Sequence, residues 1–132
     1  MSHYNRAVAK IKSLDGLLAA LRELGYHPKV HDIPVNLMGI DGIRPETAHV
    51  VIARNEVGGA SNEVGYFRRE DGTWEVVVSN FDRRSNFDAV RQRRIEVLSG
   101  VHADLLAAAS MGLVAERLDL EGGDVDVLVY QV

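Results

Sequence analysis

Histidine is the residue type of this chain best suited to bind a metal or move a proton near neutral pH. Five are present: His3, His27, His31, His49 and His102. His27 and His31 are four residues apart, but Pro28 lies between them and disfavours the helix that would present both rings to one metal. No acidic residue stands at a recognisable ligand spacing, and the chain has no cysteine. We therefore expect no metal site and no cofactor.

Sequence motifs for hydrolysis or nucleotide binding are missing as well. The chain contains no Gly-x-Ser-x-Gly nucleophile elbow. The segment Gly58-Gly59-Ala60-Ser61 lacks the Gly-Lys-Ser/Thr of a phosphate-binding loop and does not open a helical pattern, so it predicts a hairpin turn. No catalytic residue is assigned, and the missing motifs favour a protein that is not an enzyme over the enzymatic alternative considered below.

The arginines are the residues of this chain best suited to bind an anionic ligand or partner. Seven of them cluster in sequence: Arg68, Arg69, Arg83, Arg84, Arg91, Arg93 and Arg94. If they converge in space, they form a basic patch for a phosphate, an RNA backbone or an acidic partner. The alternative is a solvated face on which they pair with nearby carboxylates: Glu63, Glu70, Asp71, Glu75 and Asp88. Only Phe67 and Phe81 lie near the run, so stacking on single-stranded nucleic acid is not expected.

Three residues are the candidate anion-binding site. Arg94 falls near the centre of an apolar helix face, with Arg91 and His102 at the edge of that face. One interpretation places the Arg94 guanidinium at the rim of a sheet, or paired with Glu75 or Asp82, while its stem packs. The other makes Arg91, Arg94 and His102 the lining of a pocket for an anionic group.

The helix that carries these residues is predicted over Ser85 to Gly112. Ser85 is the expected N-cap, and Asp88 in the first turn complements the helix dipole. Gly112 suits the left-handed position that ends a helix, with Leu113 folding back onto it. Ser99-Gly100 predicts a bend or a close backbone contact. At about 100° per residue, one apolar stripe contains Phe87, Val90, Leu98, Val101, Leu105 and Ala108.

Hydrophobic periodicity, together with capping and turn-forming residues, predicts the remaining helix and strands. A leucine-rich helix over Leu14–Leu24 is capped by Ser13 and ended by Gly25. The segment from Pro34 to Pro45 predicts a loop or an irregular edge strand. Alternating or β-branched runs predict strands over residues 2–12, 29–33, 47–56, 63–69, 73–79, 113–120 and 125–132.

The resulting order is β-α-β-β-β-β-α-β-β in a single domain of 132 residues. Hairpins with two helices between them favour an α+β fold, with an antiparallel-rich sheet and both helices packed on one face. An apolar opposite face would favour a dimer.

Composition describes a soluble globular chain. Hydrophobic residues make up 46% and charged residues 26%, with a net charge of −4, so a general nucleic-acid coat is not expected. The polar N-terminus and short apolar runs predict neither a signal peptide nor a membrane span. The lack of cysteine fits the reducing cytoplasm.

A family resemblance runs through several short segments. These are Met1-Ser2-His3-Tyr4, the helix end Leu24-Gly25-Tyr26, the hairpin from Glu63-Val64-Gly65-Tyr66 to Trp74–Val78, and Met111-Gly112-Leu113 with the hairpin after it. They are similar to the family known as hypothetical chloroplast reading frame thirty-five, found in cyanobacteria, plastids and other bacteria. The similarity spans nearly the whole chain, although residues 33–47 and the Arg-rich run before Val97 depart from it. It implies an α+β fold and a cytoplasmic protein, and it implies no reaction, cofactor or catalytic residue.

Two functions follow from these observations. The first is a small non-enzymatic adaptor or interaction module that binds a protein partner or a second copy, for which the C-terminal strand over Val125 to Val132 offers an edge. The second is a ligand-binding or enzymatic domain that holds a small anionic ligand near the long helix through Arg91, Arg94 and His102.

Overall fold

The computed structural model describes residues 3–131 of the chain. Met1 lies outside that range, as do Ser2 and Val132 at the ends of the predicted first and last strands. Within it, the strands and the two long helices follow one another in the predicted order, and two one-turn α-helices and one 3₁₀ turn, Glu121–Gly123, are added. The elements are β1 (Tyr4–Ala9), α1 (Leu14–Glu23), β2 (Lys29–Gly39), β3 (Gly42–Ile52), α2 (Arg54–Val57), β4 (Val64–Arg68), β5 (Trp74–Ser79), α3 (Asn80–Arg83), α4 (Ala89–Ser110), β6 (Val114–Asp119) and β7 (Val125–Tyr130).

The strands form two separate sheets. The larger is antiparallel, with five strands in the order β1-β5-β4-β3-β2, so β1 and β2 are its edges. The smaller is the antiparallel hairpin β6–β7. The α+β class and the antiparallel-rich sheet are confirmed. No helix of residues 3–131 has both the length and the apolar character needed to span a bilayer.

Both long helices cover the same face of the large sheet, as predicted. Trp74, Val76 and Val78 alternate along β5 toward this face, where the helical leucines of α1 meet them. Ser13 caps α1 by accepting a hydrogen bond from the Gly16 amide. The core between sheet and helices includes Leu17, Leu18, Leu21, Val50, Ile52, Val64, Tyr66, Trp74, Val76, Val78, Phe87 and Ile95.

Helices α1 and α4 are in close backbone contact at Gly16. A Cβ at that position would lie 2.6 Å from the backbone oxygen of Ser99. The close backbone contact predicted around Ser99-Gly100 is therefore confirmed, and Gly16 is the residue that permits it. Gly100 itself has open space where a Cβ would project.

The opposite face of the large sheet is partly covered by the β2–β3 hairpin. β3 pairs with β4 only through Val50, Val51 and Ile52, and β2 pairs with β3 with two register shifts. Beyond that pairing, the Arg6 side chain on β1 donates a hydrogen bond to the Thr47 carbonyl on β3, which shows that the hairpin curls toward β1. Three strand spacings of about 4.8 Å each would separate β3 from β1 in a flat sheet. A second apolar cluster forms beneath the curl, from Leu37, Ala48, Val51 and Val77.

The segment from Pro34 to Pro45 belongs to this hairpin. Residues 34–39 form an irregular edge strand, one of the two structures predicted, whereas residues 42–45 belong to β3. The predicted strand over residues 47–56 ends earlier, because Arg54–Val57 forms the one-turn helix α2.

The start of the long helix differs from the prediction. Asp88 is the N-cap and accepts a hydrogen bond from the Arg91 amide, whereas the Ser85 hydroxyl donates to the Phe81 carbonyl. Val90, predicted in the apolar stripe, is 77% exposed in the first turn. Ile95, outside that stripe, is fully buried. The helix end agrees with the prediction: Gly112 has φ +71° and Leu113 donates to the Ala108 carbonyl.

Candidate functional site

Arg91 and Arg94 line one open groove of about 570 Å³ beside the first turns of α4. The Arg94 guanidinium donates a hydrogen bond of 2.7 Å to the Gly123 carbonyl in the turn between β6 and β7. Arg94 thus joins α4 to the C-terminal hairpin. The suggested carboxylate partners lie elsewhere, since Glu75 is 3.7 Å from Arg6 and Asp82 is buried in a separate network.

His102 lies in a different group of charges. Its Nε2 is 2.7 Å from Oε1 of Glu23, at the C-terminal end of α1. It is not among the residues that line the groove of Arg91 and Arg94. The structure therefore brings two of the three predicted anion-binding residues together, and the anion-binding role of the three stays a prediction.

Glu23 is the centre of the His102 group. Arg117 of β6 donates two hydrogen bonds to its carboxylate, at 2.7 and 2.9 Å, and a third to Asp119. The bidentate Arg117 contact, together with His102, lowers the pKa of Glu23 to about 2. The same carboxylates raise the pKa of Arg117. This cluster holds α1, α4 and β6 together through charge.

The seven clustered arginines divide among several places. Arg83 and Arg84 line a cleft beside β1, apart from the groove of Arg91 and Arg94. The pairing predicted for a solvated face is not found: among residues 3–131, none of the seven forms an ion pair. Three of the nearby carboxylates, Glu63, Asp71 and Asp88, accept hydrogen bonds from backbone amides instead, and Glu75 pairs with Arg6.

The β6–β7 hairpin has one face toward α4 and one toward solvent. Val125 and Val127 point inward beside Val97 and Val101 of α4. The register places Val114, Leu118, Leu128 and Tyr130 together on the outer face, which they share with the carboxylates of Glu116 and Asp126. We name the four hydrophobic residues the outer hairpin face; the three largest, Leu118, Leu128 and Tyr130, are each 44–49% exposed.

The backbone of this hairpin is unpaired on both sides. β6 and β7 pair only with each other among the described strands, so each has a free edge. β7 reads Val-Asp-Val-Leu-Val-Tyr, with Asp126 its one charged residue and no proline or lysine to block pairing. A lone two-stranded hairpin is only marginally stable in water. The hairpin therefore has both apolar side chains and backbone groups available for a partner.

Sequence reasoning missed a buried polar network at the end of β5. The Asp82 carboxylate is fully buried and accepts hydrogen bonds from the Asn62 amide, at 3.0 Å, and the Ser79 hydroxyl, at 2.8 Å. Ser79 also caps α3 through the Asp82 amide. The signal for this network was the Ser-x-x-Asp spacing, which is that of a capping box. The network joins the segment before β4 to the turn after β5.

Metal-ligating residues do not converge in the described part of the chain. No group of three or more His, Asp or Glu side chains in residues 3–131 is arranged to hold a metal ion. His27 pairs with Glu56 at 2.7 Å, and His49 accepts a hydrogen bond from the Arg68 amide. Burial, and then the nearby Arg68 charge, lower the pKa of His49.

Comparisons with known proteins add no relative. No protein-family model, curated protein or solved structure matches this chain. The resemblance to the hypothetical chloroplast reading frame thirty-five family therefore stays a prediction.

Proposed function

We propose that this protein is a cytoplasmic, non-enzymatic interaction module that self-associates through its β6–β7 hairpin. The observation that carries the proposal is the outer hairpin face of Val114, Leu118, Leu128 and Tyr130, which lies beside two free strand edges. Exposed apolar groups beside an unpaired strand edge form an association surface.

A second copy of this chain is the partner that these features favour. An interface with two-fold symmetry must match itself. The hydrophobic residues of the outer hairpin face can pack on the same residues of the copy. An antiparallel strand edge also matches itself, because its N–H groups donate to the carbonyls of the same strand in the copy. Pairing β7 with β7 of the copy turns two hairpins into one four-stranded sheet, which satisfies the free backbone groups of β7.

The register of such pairing is restricted by charge. If Leu128 lies opposite Leu128 of the copy, antiparallel pairing places Asp126 opposite Tyr130 of the copy. This register separates the two Asp126 carboxylates, which would repel each other if directly opposed. It also continues the outer hairpin face across the junction.

The oligomeric state tests the proposal. Sedimentation velocity over a dilution series from micromolar to submillimolar protein should show a concentration-dependent dimer. Leu128→Lys places a charge on the outer hairpin face at a half-exposed position, so the monomer should fold normally and fail to associate.

Val8→Lys is the matched control, because Val8 is 67% exposed on β1, the edge of the other sheet. This variant should dimerise like the wild type. A wild-type protein that stays monomeric, or a dimer that is lost in Val8→Lys and kept in Leu128→Lys, would overturn the proposal. Thermal unfolding confirms that both variants are folded.

A further inference from the structure

A cleft of about 490 Å³ lies on the helix-covered face of the large sheet, at the corner next to β1. Its apolar floor includes Ala7, Val76 and Val78. Ala7 shares a sheet face with the buried Ala9, yet it is exposed. The corner stays open because α3 is one turn long and α4 begins only at Ala89.

Two arginines form one wall of this cleft. Arg83 and Arg84 are exposed and line it together. In residues 3–131 neither guanidinium makes an ion pair or a hydrogen bond, whereas Arg6, Arg44 and Arg117 each lie within 4 Å of a carboxylate. A guanidinium without a protein partner keeps all its donors for a ligand.

The cleft is positive although the protein is acidic. The chain has a net charge of −4, but no carboxylate lines this cleft. Its other polar lining residues are Arg6, whose guanidinium is 3.7 Å from Glu75, and the neutral amides Asn5, Asn80 and Gln92. Two of these amides are held in place, since the Asn5 side chain donates to Oδ1 of Asn80 and the Gln92 side chain donates to the Phe87 carbonyl at 2.9 Å. An anion that enters meets the two unpaired guanidiniums of Arg83 and Arg84, and no carboxylate of the described residues lines the walls.

We propose that this cleft binds a small organic phosphate monoester. A phosphate monoester carries a charge of about −1.5 to −2 near neutral pH, which two guanidiniums neutralise. The planar guanidinium also fits phosphate oxygens through two parallel hydrogen bonds. The carbon skeleton of the ligand then packs on Ala7, Val76 and Val78. The volume lies within the range of about 300–1,000 Å³ that small-molecule sites occupy. This site is independent of self-association through the β6–β7 hairpin.

Calorimetric titration with three probes tests the ligand class: phenyl phosphate, inorganic phosphate and benzoate. Phenyl phosphate should bind tightest, because it alone combines the phosphate charge with an apolar group for the floor. Amide chemical shifts should move in β1 and in the first turn of α4. No binding, or benzoate binding as tightly as phenyl phosphate, would overturn the proposal.

Variants test which residues carry the binding. Arg83→Gln with Arg84→Gln should weaken phenyl phosphate binding about tenfold or more, because both charge-assisted contacts are lost. Arg93→Gln is the matched control, since Arg93 is an exposed arginine of α4 that does not line the cleft. It should bind like the wild type, and equal weakening in Arg93→Gln would show nonspecific attraction only.

The floor is tested separately by Ala7→Phe. Ala7 is exposed, so the larger side chain fills the cleft without disturbing the core. Phenyl phosphate binding should weaken while inorganic phosphate binding is retained. Unchanged phenyl phosphate binding in Ala7→Phe would place the ligand outside the cleft, even if the arginine variants were to fold poorly.

Discussion

Arg117 and Glu23 form a bidentate ion pair, with Nη1–Oε1 at 2.7 Å and Nη2–Oε2 at 2.9 Å. The two residues are 94 positions apart in the chain, on β6 and at the end of α1. His102 of α4 contacts the same carboxylate. Since the β6–β7 hairpin lies outside the large sheet, this ion pair is one of the contacts that hold it to the two helices.

Glu23→Gln should make stability less sensitive to acid. The pKa of Glu23 is lowered from 4.5 to about 2 by Arg117 and His102, so its charge stabilises the folded state above pH 4.5. We expect the wild type to exceed Glu23→Gln by about 1 kcal/mol at neutral pH. The difference should close as pH falls from 4.5 toward 2, because the wild-type carboxylate is then protonated. Urea unfolding of both proteins at a series of pH values measures this difference in unfolding free energy.

Asp104→Asn is the control for that experiment. Asp104 is half exposed and pairs only with the exposed Lys12, at 3.3 Å, so its removal should change stability little at any pH. A difference between wild type and Glu23→Gln that stays constant down to pH 2 would contradict the assigned role of Arg117.

The sequence predicted the features that depend on residues close together in the chain, such as the ends of α1 and the turn between β4 and β5. Ser13 and Gly25 mark the ends of α1 because capping and a left-handed turn involve residues within one turn of the helix. Gly72, with φ +87°, closes the β4–β5 hairpin for the same reason. The pairing of Trp74 with Arg68 follows directly from that turn.

Contacts between distant segments could not be predicted in this way. Arg94 binds the Gly123 carbonyl, 29 residues away, and no periodicity of α4 identifies a backbone oxygen in a later turn as its partner. The cleft of Arg83 and Arg84 likewise depends on β1. This strand pairs with β5, about 70 residues later in the chain, and no local pattern predicts that pairing. The sequence indicated a basic run near the long helix, but not which arginines would share a concave surface.

Gly16→Ala should destabilise the protein despite the higher helix propensity of alanine. The added Cβ would lie 2.6 Å from the Ser99 backbone oxygen, so α1 and α4 must separate. We expect a loss of about 1–3 kcal/mol. Gly100→Ala is the matched variant in the facing helix, where a Cβ meets open space, and it should gain up to about 1 kcal/mol. Chemical denaturation measures both, and equal effects of the two substitutions would contradict the close approach at Gly16.

Asp82→Ala should be far more damaging than removal of the α4 N-cap by Asp88→Ala. The first substitution leaves the buried Asn62 amide and the Ser79 hydroxyl without their acceptor, at a cost of about 3 kcal/mol. Asp88 is a partly exposed N-cap whose loss costs about 1 kcal/mol, since water replaces it. Denaturant midpoints compare the two directly. Similar losses would mean that the Asp82 network is open to solvent.

Gly65→Ala tests whether the curled β2–β3 hairpin covers the second face of the sheet. A Cβ on Gly65 would lie 2.3 Å from the Cβ of Ala48 and 3.1 Å from Leu37, and both of these side chains are fully buried. The hairpin must then lift, and we expect a loss of about 2–3 kcal/mol in urea unfolding. Gly59→Ala, where a Cβ meets nothing, should stay within about 0.5 kcal/mol of the wild type.

The double variant Gly65→Ala with Ala48→Gly separates this contact from a general effect of alanine in β4. Removing the Ala48 Cβ makes room for the new one, so part of the lost stability should return, and the double-mutant cycle should show coupling of about 1 kcal/mol or more. Strictly additive losses would mean that the hairpin does not press on the sheet at Gly65. Coupling would instead show that the chain covers this face of the sheet with its own β2–β3 hairpin.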